Sequence, residues 1–356
     1  METGGIAERF RDKTILITGA TGFLGKLLVE KILRVQPEVR KLYLLVRAPD
    51  AIAAEERVLT EVVGNGLFDV LREQYGAGFH SFIKEKIYAL PGDVTHENFG
   101  LESYDILQLS QKVDIIVNGA ATTNFMERYD VALATNTTGV VHLCQFAKQC
   151  DNLKMVLHVS TAYVAGEQAG QIFEKPFQIG TALRLDYQLD IEAELQLVDK
   201  IKSELGINSD SKLEKITMRK LGLERTIDVI FVAYNDQTLP CFIFDGSVIF
   251  DLAYMILRYK VPLEMMRAAN VLLGGIYTKN YYELNRGYNI LMTVAKLFDD
   301  TNLRKLWKAT AMDQNDDASI FNFDPKCINW SSYLVNTHIP AAIKYANNQK
   351  TKARSA

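Results

Sequence analysis

Several features are scarce in this 356-residue chain, and each scarcity argues against a class of protein. Only four cysteines occur, between Cys144 and Cys327, which is too few and too scattered for a disulfide framework or a zinc site. The five histidines show no ligand spacing, so no metal site is expected. A formal net charge of -3 leaves no basic excess to neutralise phosphates, which argues against a nucleic-acid partner.

Long apolar runs are also missing. No run of about 18 apolar residues occurs, so no membrane-spanning helix is expected. Met1 to Asp12 carries charges and lacks the apolar core of a secretory signal. The hydrophobic content of 48% still allows a large core, in two domains or one enlarged domain. We therefore expect an intracellular globular protein in a reducing compartment.

A glycine-rich turn between an apolar strand and an amphipathic helix is the most informative positive feature. Gly19, Gly22 and Gly25 have the spacing of a dinucleotide-binding turn, in which they allow a tight turn, close approach of a pyrophosphate, and helix packing. The pyrophosphate is expected at the helix N-terminus. A turn that binds nothing is the alternative. The predicted cofactor contacts here are Thr18, Gly19, Thr21, Gly22, Phe23, Leu24 and Gly25.

The residue after the second predicted strand bears on which dinucleotide binds. Arg47 stands where NAD-binding folds place an acidic residue for the ribose hydroxyls, whereas arginine suits a 2'-phosphate. NADPH is therefore the predicted cofactor. The alternative is that Arg47 is an ordinary solvated loop charge.

Strand-like runs alternate with helical periods from Thr14 to about Leu195. This alternation predicts an α/β fold, a Rossmann-like doubly wound parallel sheet with helices on both faces. The predicted strands cover residues 15–18, 42–46, 86–90, 115–118 and 155–159. Helices are predicted over 183–205 and 212–224, followed by short strands over 229–234 and 241–244. We expect an NADP-binding domain over 10–250 and a mainly helical C-terminal region over 251–356.

Polar and small residues follow the third and fourth predicted strands. Cofactors bind at the carboxyl ends of strands in open α/β sheets, and small residues there let a flat ring approach the backbone. Tight loop packing is the alternative explanation for the same residues. The predicted contacts at these strand ends are Asp93, Val94, Asn118, Gly119, Ala120 and Ala121.

Several segments together carry a family resemblance. They are TGATGFLG at 18–25, LLVR at 44–47, VNGAATTNF at 117–125, NTTG at 136–139, VSTAYVAG at 159–166, FEKPF at 173–177, KLGLER at 220–225 and FNFDPKCINW at 321–330. With these segments the chain resembles the alcohol-forming fatty acyl-coenzyme A reductases, in particular their plant branch, within the extended short-chain dehydrogenase superfamily. The similarity runs from about residue 10 to residue 347.

The resemblance implies a reaction and a substrate. Enzymes of this family reduce a long-chain fatty acyl-CoA to a primary alcohol through an aldehyde, with two NADPH, in lipid metabolism. It also implies catalytic roles for Ser160, Thr161 and Asn136. Peripheral membrane association, at the endoplasmic reticulum surface for example, and a homodimer stay open.

One segment of the family pattern is missing. Relatives continue after Leu-Gly-Leu-Glu-Arg into a Tyr-x-x-x-Lys helix and a further strand, whereas here Arg225 runs directly into Thr226. None of the sixteen tyrosines has a lysine at the fourth following position, although Tyr43, Tyr254 and Tyr282 have an arginine there. The loss predicts an exposed edge on the fifth strand, unless residues 229–234 pair with it. Three hypotheses arise: a reductase that still turns over, a catalytically defective NADP-binding member, or a regulatory or dimerising partner.

Overall fold

The computed structural model describes residues 7–124, 127–160, 171–173, 190–206, 211–230, 297–298, 301–311, 328–333 and 336–337. The chain divides into a larger unit, Asp12–Asp300, and a smaller unit of Met1–Arg11 with Thr301–Ala356. The predicted domain boundary at residue 250 lies outside the described residues and stays a prediction.

A five-stranded parallel sheet forms the core of the larger unit. The strand order is β3-β2-β1-β4-β5. The strands are β1 (Thr14–Thr18), β2 (Lys41–Val46), β3 (Ile87–Pro91), β4 (Ile115–Asn118) and β5 (Met155–His158). Because β1 pairs with both β2 and β4 in parallel, the winding direction reverses at β1. This topology confirms the predicted Rossmann-like α/β fold.

Burial explains the composition of the strands. Every residue of β1 and of β4 is buried, which requires the nearly continuous apolar runs that parallel central strands carry. A hydrophobic cluster packs on one face of the sheet, where the Phe99 and Phe146 rings meet with centroids 5.3 Å apart. These contacts hold the carboxyl ends of the strands in place.

The first nine described helices belong to the larger unit and the last two belong to the smaller unit. They are α1 (Phe23–Val35), α2 (Ala51–Arg57), α3 (Asp69–Tyr75), α4 (Phe79–Lys86), α5 (Ser103–Ser110), α6 (Tyr129–Leu133), α7 (Gly139–Gln149), α8 (Ile191–Leu205), α9 (Ser211–Ile230), α10 (Thr301–Ala311) and α11 (Trp330–Tyr333). A π-helical turn, Ala134–Thr138, joins α6 to α7. Two short segments, Gln171–Ile172 and Leu297–Phe298, pair in parallel.

Three predicted boundaries are corrected. Lys86 ends α4 instead of starting β3, and β5 ends at His158. The strand predicted from Val229 is wrong at its start, because α9 continues to Ile230. Extending an existing helix adds one hydrogen bond per residue, which outweighs the β-preference of Val229 and Ile230. Residues 231–234 lie outside the described residues.

β5 is the last strand of the sheet among the described residues, and pairing by residues 231–234 lies outside them. No described strand pairs with the side of β5 away from β4. Met155, Val156 and Leu157 are 43–45% exposed, in contrast to the fully buried β4 beside them. In the described part of the chain, apolar residues suited to a central strand therefore occupy the last strand of the sheet.

No described helix is both long and apolar enough to cross a bilayer. Within the described ranges, no group of three or more His, Cys, Asp or Glu residues is placed to hold a metal ion.

Candidate functional site

The turn between β1 and α1 has the geometry that its glycines predict. Gly19 adopts a φ of +72°, which L residues rarely adopt, and its carbonyl accepts a hydrogen bond from Gly22 N at 3.0 Å. A Cβ on Gly19 would lie 2.5 Å from the carbonyl carbon of Gly119. A Cβ on Gly25 would lie 2.3 Å from Gly19 O. Packing therefore requires glycine at positions 19 and 25, and at Gly19 the backbone conformation requires it as well.

Gly22 differs from its two partners because it is open to solvent. It is the N-cap of α1, no side chain caps the helix there, and a Cβ would meet only Gly19 O, at 3.1 Å. The first N–H groups of α1 are thus available to an anion, with the positive end of the helix dipole behind them. This cradle fits the pyrophosphate of a dinucleotide.

The three side chains beside Gly22 share the rim of this turn. Phe23 and Leu24 are 76% and 59% exposed, and Thr21 is half-buried. Two large apolar side chains at a helix start are left without a core to pack in. Their predicted contact with a cofactor fits this exposure and stays a prediction.

A row of hydrogen-bonded side chains crosses the carboxyl ends of β1, β4 and β5. The parallel register places Thr18 beside Asn118 and Asn118 beside His158. The Thr18 hydroxyl donates to Asn118 Oδ1 at 2.6 Å, and Asn118 Nδ2 donates to His158 Nδ1 at 3.0 Å. The side chains of Thr18 and Asn118, predicted as cofactor contacts, are thus occupied in holding strand ends together. Sequence reasoning missed His158, which the strand register alone identifies.

The same row fixes the loop that follows β4. Gly119 N donates to Thr18 O at 3.2 Å, and Ala120 N donates to Thr18 Oγ1 at 3.1 Å. The Gly119 backbone lies against Gly19, but a Cβ on Gly119 itself would meet only Thr18 O, at 3.1 Å. Gly119 and Ala121 are exposed, which leaves this backbone accessible at the cofactor edge.

Arg47 lies at the carboxyl end of β2 with its side chain exposed. In the described part of the chain its guanidinium has no hydrogen bond or ion pair, while its carbonyl accepts from Arg57 Nη1. Arg57 is itself bonded to Glu61 at 2.7 Å, and this bond raises the pKa of Arg57. Arg57 therefore lies at the backbone of Arg47 with its charge paired to Glu61, and the Arg47 side chain is the exposed cation at the end of β2.

Asp93 and Val94, at the end of β3, are placed mainly by local structure. Asp93 Oδ1 accepts from Thr95 N at 2.9 Å. The Val94 side chain is buried in the core, and its carbonyl bonds His142 Nδ1 at 3.0 Å. Contact with the cofactor through Asp93 and the Val94 backbone stays a prediction.

Two of the three predicted catalytic residues lie at the same edge of the sheet. Asn136 sits in the π-helical turn, a feature frequent at functional sites, and its amide bonds both backbone groups of Thr122 at 2.9 and 3.1 Å. Ser160 follows β5, and among the described residues its exposed hydroxyl has no partner. Thr161 lies outside the described residues.

Comparison with known proteins identifies the family. Residues 17–250 match the NAD-binding domain family described as Male sterility protein. Fatty acyl-CoA reductase 1 of Arabidopsis thaliana is 32% identical over 482 aligned residues, covering 95% of this chain and 98% of the relative. The chain belongs to the fatty acyl-CoA reductase family. The alcohol-forming fatty acyl-CoA reductase of Simmondsia chinensis is 30% identical, covering 98% of this chain and 100% of the relative.

One solved structure is similar to part of the chain. The terminal R domain from the myxalamid PKS-NRPS biosynthetic pathway is 26% identical, with a TM-score of 0.40, over 55% of this chain and 47% of that chain. The domain matched in this reductase family member binds a nicotinamide dinucleotide.

The aligned length also bears on the missing segment. An alignment of 482 residues exceeds the 356 residues of this reductase family member by 126. At least that many positions are therefore occupied in the Arabidopsis reductase alone. This agrees with the predicted internal loss, and its location near Arg225 stays a prediction.

The structure also excludes one substitute for the absent catalytic tyrosine. Tyr43 has Arg47 at the fourth following position, but it lies in β2 and packs against Tyr88 with ring centroids 5.3 Å apart. Burial raises the pKa of Tyr43, whereas an acid for carbonyl reduction needs a lowered one. Tyr43 is therefore a packing residue.

Proposed function

We propose that this reductase family member binds NADPH and a long-chain fatty acyl-CoA and reduces the acyl group to a primary alcohol. In the overall reaction, acyl-CoA, two NADPH and two protons give the alcohol, free coenzyme A and two NADP⁺. The observation that carries the proposal is 32% identity to a fatty acyl-CoA reductase across 98% of that relative. The open cradle at Gly22 supports it independently.

Separate groups of described residues bind separate parts of the cofactor and substrate. The start of α1 receives the pyrophosphate, and Arg47 pairs with the 2'-phosphate that distinguishes NADPH from NADH. When bound, the nicotinamide supplies hydride. Asn136 fixes the loop after β4 through its two hydrogen bonds to Thr122. The thioester carbonyl of the substrate lies against this loop.

The carbonyl oxygen gains negative charge during reduction and needs a donor. Ser160, whose hydroxyl is exposed at the end of β5, provides a hydrogen bond there. A proton donor of the Tyr-x-x-x-Lys type is absent from the sequence. We therefore keep a second candidate function, an NADPH-binding and acyl-CoA-binding member that does not turn over.

A single experiment separates these two functions. Purified protein is incubated with NADPH and palmitoyl-CoA, and aldehyde and alcohol are quantified by gas chromatography with mass spectrometry. Alcohol that disappears in Ser160→Ala supports the reductase. Tight binding of both ligands without either product supports the second candidate, and failure to bind either ligand contradicts both.

Association with membranes is part of the proposal because the substrates are long acyl chains. We expect a peripheral association with an intracellular surface such as the endoplasmic reticulum, and a homodimer. Vesicle co-sedimentation and analytical ultracentrifugation test these two points separately.

A further inference from the structure

A mostly apolar cleft of about 250 Å³ lies between α6 with its π-helical turn and the start of α8. Its walls include Ala132 and Leu133 on one side and Ile191 on the other. Ile191 is 41% exposed although it is apolar, so the start of α8 presents a hydrophobic surface to this space. We refer to it as the α6–α8 cleft.

The one charged group in the wall is neutralised by its neighbours. Glu194 is only 4% exposed, and its two carboxylate oxygens accept from Tyr129 OH and from Arg225 Nη2, each at 2.7 Å. A buried carboxylate paired in this way presents no free charge to the cleft. The same bonds tie α6, α8 and α9 together, so the walls have a fixed spacing.

The cleft shares a residue with the candidate active site. Asn136 lines the cleft, and its amide holds Thr122 in the loop after β4. That loop stands at the carboxyl edge of the sheet, where the dinucleotide is proposed to bind. A ligand in the cleft therefore lies next to the proposed reaction centre.

We infer that the α6–α8 cleft holds part of the fatty acyl chain of the substrate. The inference rests on the proposed function, because that function supplies the acyl-CoA. If a methylene takes about the 30 Å³ of a water molecule, the cleft accommodates roughly eight carbons. A palmitoyl chain fills it and extends beyond it, whereas coenzyme A alone leaves it empty.

The experiment fills the cleft and measures binding instead of turnover. The Kd values of palmitoyl-CoA, octanoyl-CoA and free coenzyme A are measured by isothermal titration calorimetry with NADPH present. The variant Ala132→Trp should weaken both acyl-CoAs at least about tenfold and leave coenzyme A within about twofold, since apolar burial is lost and the headgroup is not touched. The control is Ala51→Trp, at an exposed position on α2.

A second variant keeps the test valid if tryptophan prevents folding. Ile191→Ser removes an exposed apolar side chain from the first turn of α8, where serine is well tolerated, and should weaken palmitoyl-CoA at least about threefold. Unchanged palmitoyl-CoA affinity in a folded variant, or an equal loss in Ala51→Trp, would overturn the inference and leave the proposed function standing. Wild-type protein that binds palmitoyl-CoA no more tightly than coenzyme A would overturn both.

Discussion

Gly22→Ala is the substitution that best separates cofactor binding from folding. The added methyl group meets only Gly19 O, at 3.1 Å, and the φ of -76° suits alanine. The free energy of unfolding should therefore fall by about 1 kcal/mol, and Tm should fall by about 2–4 °C. The methyl group occupies the cradle where a pyrophosphate meets the start of α1. Losing one charge-assisted hydrogen bond costs about 1.5–3 kcal/mol, which weakens NADPH roughly 10- to 100-fold.

Alanine substitutions at two other glycines serve as controls for this experiment. Gly78→Ala places a methyl group where nothing lies within 4 Å, so both NADPH affinity and Tm should stay unchanged or rise slightly. Gly25→Ala places it 2.3 Å from Gly19 O and 2.6 Å from Ala20 Cα, so it should cost at least about 2 kcal/mol of stability. NADPH titrations followed by fluorescence, with thermal unfolding of each variant, provide both numbers. If Gly22→Ala binds NADPH like the wild type, the turn does not hold the pyrophosphate and the reasoning is refuted.

Three further predictions concern charge and the sheet edge. Arg47→Ala should weaken NADPH about tenfold and leave NADH unchanged, since only NADPH carries the 2'-phosphate; equal losses for both in parallel titrations would contradict this. Burial raises the pKa of Asp130, but ion pairs with a neighbouring arginine and lysine outweigh it and hold this pKa at about 2. Because the folded-state pKa is depressed, the stabilisation is present above about pH 4 and is lost as pH falls toward 2. Asp130→Asn should thus remove about 2 kcal/mol at neutral pH and less than about 0.5 kcal/mol at pH 2, as urea unfolding at each pH would show. On β5, Leu157→Lys should reduce aggregation and lower the free energy of unfolding by less than about 1 kcal/mol. Val117→Lys should unfold the protein, because Val117, the register partner of Leu157 on β4, is only 5% exposed. Light scattering and soluble yield compare the two variants.

The central sheet could be predicted from sequence because its signals are local and agree. Apolar runs predict the five strands, and Gly19 with its neighbours predicts the first turn. The predicted and observed bounds of these five strands differ by one residue at most. The end of α9 could not be predicted, because Val229 and Ile230 favour strands and the preceding helix overrides them. Local preference is a weak guide where an element already formed offers the next hydrogen bond.

The site was predicted less completely, since side-chain partners depend on register. The contact of Thr18 and Asn118 with a cofactor stays a prediction, whereas their bonds to each other and to His158 across three strands had no signal in the sequence. Likewise Glu194 lies far from Tyr129 in sequence and gives no local signal of their contact. Such pairs arise from tertiary packing. The sequence alone could predict which residue types lie at the strand ends, but not which side chains bond each other.

The structure also separates the binding half of the site from its catalytic half. The elements that hold a dinucleotide, the Gly22 cradle and Arg47, lie on β1, α1 and β2, far in sequence from the missing segment. The predicted loss near Arg225 therefore leaves these elements intact. Among the described residues, β5 ends the sheet with exposed apolar side chains, and Ser160 follows it in a sequence that has no Tyr-x-x-x-Lys motif. This suggests a complementation experiment, in which restoring the segment should bury β5 and raise turnover together, while NADPH affinity changes little.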